Sequence, residues 1–363
     1  MAKSDPGKHL TASTLVLAAL RERVAALHAA VELDTDEPVP SLADDEVTGD
    51  TGNSGDSGDA PSDDADGGTS VTVPAMPDEV PNEDDDSDDD SDESVVAAGI
   101  DVEGLAEVLA DLDAVTAGFA SLIEGPDVTA LRAELAWARA IVDEAHGLEG
   151  TVDVLSELVE DLDPTLRLGP VRERLRLVVT GRSEERRDAV TAMLAQPEWA
   201  SLMEHADRLV LTAPIAGTKP KNTEKVLAKA LADADAAARE AADAAVAQAR
   251  DADLAGGPQL GPVISAATTV ATTARAVRPV LGKQARRLAD AAEALAGALD
   301  ERRRAESAAH WLVDLADLAH RAGEPSFTYG VLHTEARARR ERADEALAKA
   351  VTAYTKPKLH KGL

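Results

Sequence analysis

The sequence predicts an all-α protein, a bundle of long helices, and three observations carry that reading. Apolar residues make up 44% of the 363-residue chain, yet only seven are aromatic (Phe119, Trp137, Trp199, Trp311, Phe327, Tyr329, Tyr354). Ala, Leu and Val must therefore fill the interior; Ala and Leu are strong helix formers, whereas strands lean on β-branched and aromatic residues. Apolar residues also recur at three- and four-residue spacings. Finally, Gly and Pro cut the chain into segments of helix length, giving eight to ten helices and no strand.

The elements follow in order. Residues 10–33 place Leu10, Leu17, Leu20, Val24, Leu27 and Val31 mostly on one face, an amphipathic helix that opens the domain as residues 1–33. Residues 34–94 change to Asp, Gly, Ser, Pro and Thr and culminate in Glu83-Asp84-Asp85-Asp86-Ser87-Asp88-Asp89-Asp90. Such a stretch repels itself and has little to bury, so a disordered acidic insertion is expected, a solvated linker or a decoy for a basic partner. Helical patterning resumes near Val95 and runs on through 95–363. Gly125-Pro126-Asp127 ends one helix and starts the next, where Leu131, Leu135 and Ala138 share a face beside Trp137. Further breaks are expected at Pro164, Gly169-Pro170, Gln196-Pro197, 212–221, Gly256-Gly257-Pro258, Pro279, Gly282 and Gly323-Glu324-Pro325. The segment 225–250 is so rich in Ala that its apolar stripe is shallow.

The charge is not spread evenly. Of 68 Asp and Glu residues, 31 lie within 24–131, where there is no Lys or Arg; the remaining 37 match the 37 Lys and Arg, so this one stretch accounts for the net charge of −31. A halophilic surface would be acidic throughout, and a nucleic-acid binder would show a basic excess, so neither is expected. With no Cys, thiol catalysis, disulfides and zinc knuckles are excluded. No signal-like start and no uncharged apolar run near the roughly 20 residues needed to span a bilayer is found, so a cytoplasmic protein without membrane contact is expected.

No catalytic arrangement emerges: there is no phosphate-binding Gly-rich loop, no HExxH pair, no GxSxG elbow and no calcium-binding ladder. His310 and His320 could share a helix, but ten residues separate them by about 15 Å, too far for one metal. No enzyme activity, cofactor or metal is expected. Trp199, just after Pro197-Glu198, reads as a core anchor.

One pattern is specific. Leu168-Gly169-Pro170-Val171-Arg172-Glu173-Arg174-Leu175-Arg176, then Arg186-Arg187, Gln196-Pro197-Glu198-Trp199-Ala200-Ser201-Leu202 and Gly323-Glu324-Pro325-Ser326-Phe327-Thr328-Tyr329-Gly330-Val331-Leu332-His333 occur in that order. With Leu131-Arg132-Ala133-Glu134-Leu135-Ala136-Trp137, Arg278-Pro279-Val280-Leu281-Gly282 and the opening helix, the chain resembles the actinobacterial branch of the CHAD family, the conserved-histidine α-helical domain. The resemblance implies two pseudo-symmetric helical halves around a basic channel that binds inorganic polyphosphate, without catalysis. The Glu-x-Glu-x-Lys strand of the triphosphate hydrolase or cyclase domain that often precedes this fold does not occur in the sequence.

The departures from the family matter more. Each half of a family member carries a helix that begins with His and continues with closely spaced Arg and Lys. The matching positions here are Glu103, Ala106, Ala110 and Asp113 in the first half, and Gly261, Ile264, Ser265, Thr268, Thr269 and Ala271 in the second. Residues three and four apart share a face, so both basic stripes are lost. Polyphosphate affinity is therefore expected to be weak or absent, and the function expected is an accessory or protein-interaction scaffold with a protein partner the sequence does not name. The alternative is a granule-associated polyphosphate binder using the remaining basic clusters: Arg172, Arg176, Arg186 and Arg187, and Arg278, Lys283, Arg286 and Arg287. The first cluster is interleaved with Glu173, Glu184, Glu185 and Asp188, which points instead to surface salt bridges.

Overall fold

The computed structural model describes residues 11–32, 100–212, 215, 220–251 and 260–361. The expected insertion at 34–94 lies outside them, as do Leu10 and the break at Gly256-Gly257-Pro258. Among the described residues there are ten α-helices and no strand, only one isolated antiparallel bridge between Ile123 and Ile215. The helices are α1 (Ala12–Glu32), α2 (Val102–Gly118), α3 (Pro126–Asp161), α4 (Val171–Leu194), α5 (Pro197–Thr212), α6 (Thr223–Asp251), α7 (Gly261–Leu281), α8 (Lys283–Arg321), α9 (Phe327–Tyr354) and α10 (Pro357–His360).

The punctuation explains these boundaries. Asp101 caps α2 by accepting from the Gly104 N–H at 2.9 Å. Pro126 and Pro197 open α3 and α5, where a missing N–H costs nothing. Pro279 is not the break it is expected to be: it sits inside the last turns of α7, and the chain turns at Gly282 with φ +63°. On α1 the buried stripe runs through Val16, Leu20, Val24 and Leu27, with Leu17 only half-buried at its edge. Trp199 is a core anchor, 5% exposed.

Two triplets of helices repeat. The 17, 36 and 24 residues of α2, α3 and α4 match the 21, 39 and 28 of α7, α8 and α9, with α2 packed on α7 and α3 on α8. These are the two pseudo-symmetric halves. The core follows the same logic. A large cluster joins α1, α2, α5, α6 and α7 to the first half of α3, the end of α4 and the first half of α8. A smaller one joins the end of α3 (Val154, Leu155, Val159), the start of α4 (Val171, Leu175), the end of α8 (Leu312, Leu315) and the start of α9 (Tyr329, Leu332). The α3/α4 and α8/α9 hairpins thus run past the main body and bury each other, each full Leu contributing about 1.5–3 kcal/mol.

The most specific sequence motifs meet where these hairpins turn. Thr328 Oγ1 accepts from the Leu168 N–H at 2.8 Å and donates to the Leu166 carbonyl at 2.8 Å. Arg174 grips Glu324 through Nε and Nη2 at 2.7 and 2.5 Å. Gly169, at φ +83°, lies against Pro325. The motifs tie the two halves together at their far end.

Candidate functional site

The two helices expected to match the family's signatures, α2 and α7, pack on one another. Glu103, Ala106, Glu107 and Ala110 on α2, and Gly261, Ile264, Ser265 and Thr268 on α7, line a single cleft of about 400 Å³, closed by α3 and α8. The remaining signature positions fall elsewhere. Asp113 and Thr269 line the neighbouring cleft, and Ala271 is buried in the core. The stripes inferred from spacing therefore end at Ala110 and Thr268. Below that point α2 and α7 close on each other, since a Cβ on Gly118 would overlap Thr273 Oγ1.

What the sequence does not reveal is that α3 and α8 bring arginines to the same cleft. Arg139 from α3 and Arg303 and Arg304 from α8 line it, together with His146. Each guanidinium is already held by carboxylates. Arg139 Nη1 lies 2.5 Å from Asp113 and its Nη2 3.2 Å from Asp143. Arg303 Nη2 and Arg304 Nε both reach Asp300 at 2.7 Å. The acids of α2 also tie helices together: Asp111 pairs with Arg23 of α1 at 3.1 Å and accepts from the Thr272 hydroxyl of α7 at 3.1 Å. Along the wall the three arginines meet Glu103, Glu107, Asp143 and Asp300, so the lining is slightly acidic.

The one clue to the arginines lay in two glycines. Gly147 and Gly150 interrupt a 36-residue helix, at a cost of about 1 kcal/mol each against Ala. A Cβ at Gly147 would come within 2.8 Å of Arg303 Nη1, and one at Gly150 within 3.0 Å of Arg304 Nε. These glycines open the surface of α3 to the two side chains.

A smaller cleft of about 240 Å³ adjoins the first and shares Glu103, His146 and Arg304 with it. Arg187 lines this extension, bound to Glu149 at 2.8 Å, and Arg186 is bound to Glu144 at 2.6 Å. The salt bridges expected within α4 thus run to α3 instead. Arg172 and Arg176 are exposed and pair with no other described residue. Arg278, Lys283 and Arg287 are exposed at the α7–α8 corner, where Arg286 reaches Asp290 at 3.8 Å. The structure does not gather these eight residues into one site. The corner group is about 26 Å of helix from Arg304, and Arg172 and Arg176 lie near Glu324, about 50 Å along α8 from Arg287.

His310 and His320 both lie on α8, and His310 Nδ1 donates to the Glu306 carbonyl at 3.0 Å.

Residues 92–255 match the family model for the CHAD domain. Over that stretch, a little under half of the chain, the protein is similar to the CHAD domain. The matched stretch covers the first triplet, α2 to α4, together with α5 and α6, while the second triplet repeats its architecture. Among solved structures the chain is similar to "PptA from Streptomyces chartreusis", with TM-score 0.51 and 19% identity over 69% of this chain and 89% of that one, a likeness of fold. No curated protein matches it. None of the seven residues expected from the resemblance to line the cleft between α2 and α7, Glu103, Ala106, Ala110, Gly261, Ile264, Ser265 and Thr268, is basic. No described helix is long and apolar enough to cross a membrane.

Proposed function

We propose that this chain is a non-catalytic CHAD module that has lost most polyphosphate binding and serves as an accessory or protein-interaction scaffold. One observation carries the reading: in the α2–α7 cleft no signature residue is basic, and all three arginines that enter are matched to Asp113, Asp143 and Asp300. Binding a phosphate chain there requires an arginine to exchange a carboxylate already in place for a phosphate that must first lose water, which leaves little net gain. Glu103 and Glu107, without partners among the described residues, add repulsion.

Calorimetric titration with long-chain polyphosphate at two salt concentrations tests this. No salt-dependent heat is expected. Tight binding that weakens steeply with salt would overturn the reading in favour of the alternative, a granule-associated binder. Replacing Arg172, Arg176 and Arg187 by Ala would then abolish binding if those residues supply the site.

A further inference from the structure

At the end of the chain a buried polar cluster stands apart from the cleft. Asp235 of α6 is 3% exposed, and Tyr354 at the end of α9 is 4% exposed. The Tyr354 hydroxyl donates to Asp235 Oδ1 at 2.6 Å, and Arg239, one turn further along α6, pairs with Oδ2. His360 of α10 completes the group. Its Nδ1 lies 3.0 Å from Asp235 Oδ2 and its Nε2 2.6 Å from the Tyr354 carbonyl oxygen.

Both partners of this imidazole can only accept. A carboxylate and a carbonyl have no proton to give, and neutral imidazole has only one N–H. The geometry therefore requires a ring carrying both protons. A neutral ring would set a nitrogen lone pair against an oxygen lone pair, and one of the two contacts would have to open.

Little else holds α10 down. It is a four-residue helix whose Leu359 packs on the core and whose Lys361 carbonyl accepts from Gln284 Nε2 of α8 at 2.7 Å. Among the described residues, the charged and titratable groups in this cluster or beside its contacts are Asp235 and Arg239 on α6, Tyr354 on α9, Lys283 next to Gln284 on α8, and Lys356, Lys358 and Lys361 on the segment of His360 itself. Asp235 is the one carboxylate in contact with the ring among the described residues. Tyr354 also forms part of the wall of an apolar cavity of about 430 Å³ lined from α6, α7, α8 and α9.

We propose that α10 is a proton-controlled latch: it is docked while His360 carries both ring protons and released as the ring loses one. Protonation stabilises the docked state, so docking is present at lower pH and lost as pH rises.

The absence of cysteine allows a direct test. Lys358 is exposed, so Lys358→Cys in the full chain carries a single nitroxide label. Its spectrum is followed from about pH 5 to pH 9 with helix content monitored in parallel. The label is expected to be immobile at low pH and to become mobile, several-fold, as pH rises while helix content stays constant. Adding His360→Gln should leave it mobile at every pH. Adding Asp235→Asn, which removes the carboxylate but keeps the imidazole, should move the transition to lower pH. A spectrum that does not change with pH overturns the latch. So does the same transition surviving His360→Gln, or an unmoved midpoint in the Asp235→Asn variant.

Discussion

Two neighbouring residues show how much a hydroxyl's surroundings decide its worth. Thr328 and Tyr329 are both buried at the start of α9. The Thr328 hydroxyl satisfies the Leu168 N–H and the Leu166 carbonyl of the opposite hairpin, whereas the Tyr329 hydroxyl is buried without a hydrogen-bond partner. Thr328→Val should therefore cost about 1–3 kcal/mol, because it leaves the part-buried Leu168 N–H and the Leu166 carbonyl without their partner. Tyr329→Phe should leave stability at neutral pH unchanged or raise it by under about 1 kcal/mol, since it removes an orphan polar group. Denaturant melts of the two variants check this pair. Burial also pushes the Tyr329 phenol above its ordinary value of 10.0. The sign follows directly: below that pH both states hold the proton, and above it the unfolded chain releases it first, so stability falls as pH rises. Tyr329→Phe should make that alkaline loss shallower by one proton. At the same knot, the double hydrogen bond from Arg174 holds the Glu324 carboxyl below its usual range, so this pair contributes above the ordinary carboxylate range and is lost as pH falls.

At the scale of helices, small residues decide which faces can approach. Gly118 lets α2 cross α7 against Thr273, which is fully buried. Gly118→Ala should destabilise by about 1–3 kcal/mol through overpacking, and Thr273→Ala in the same chain should recover part of the loss, a coupling that a double-mutant cycle reads. Gly147→Ala should behave oppositely. Its neighbour is the flexible end of Arg303, which can swing aside, while the helix gains up to about 1 kcal/mol of propensity. Nearly all helix boundaries were legible in the sequence, because Gly125-Pro126, Gly169-Pro170, Gln196-Pro197 and Gly323-Glu324-Pro325 act locally on the backbone. Pro279 misled because proline near the end of a helix disturbs few hydrogen bonds, and the turn waits for Gly282, which can adopt φ +63°. The partners of Arg186 and Arg187 were not legible. A run of alternating charge reads equally well as pairing within one helix or between two, and only the packing of α4 on α3 selects Glu144 and Glu149.

For the whole molecule, the cleft was half visible from the sequence. The resemblance to the CHAD family put Glu103, Ala106, Ala110, Gly261, Ile264, Ser265 and Thr268 on two facing stripes; helical spacing by itself says only which positions of each helix share a face. Arg139, Arg303 and Arg304 were not picked out, since what the 36-residue α3 and the 39-residue α8 present to their neighbours depends on tertiary packing. Their presence means that the cleft's charge is set by a balance of arginines against aspartates and not by a want of arginines. That balance can be tipped. Asp113→Asn, Asp143→Asn and Asp300→Asn each keep one acceptor oxygen, enough at Asp300 for only one of Arg303 and Arg304, and together remove three negative charges, leaving three free cations against Glu103 and Glu107. With scaffold and cleft shape kept, the triple variant should bind polyphosphate more tightly than the parent. Its dependence on salt should have a slope of about −2 to −3 in log K against log salt, roughly one per arginine released. Adding Arg139→Ala and Arg304→Ala should remove most of the gain. If the triple variant keeps its helix content and melting transition yet takes up no polyphosphate, charge balance is not what closes the cleft to phosphate, and the side chains that line it, Ile264 and Thr268 foremost, exclude the polymer by shape.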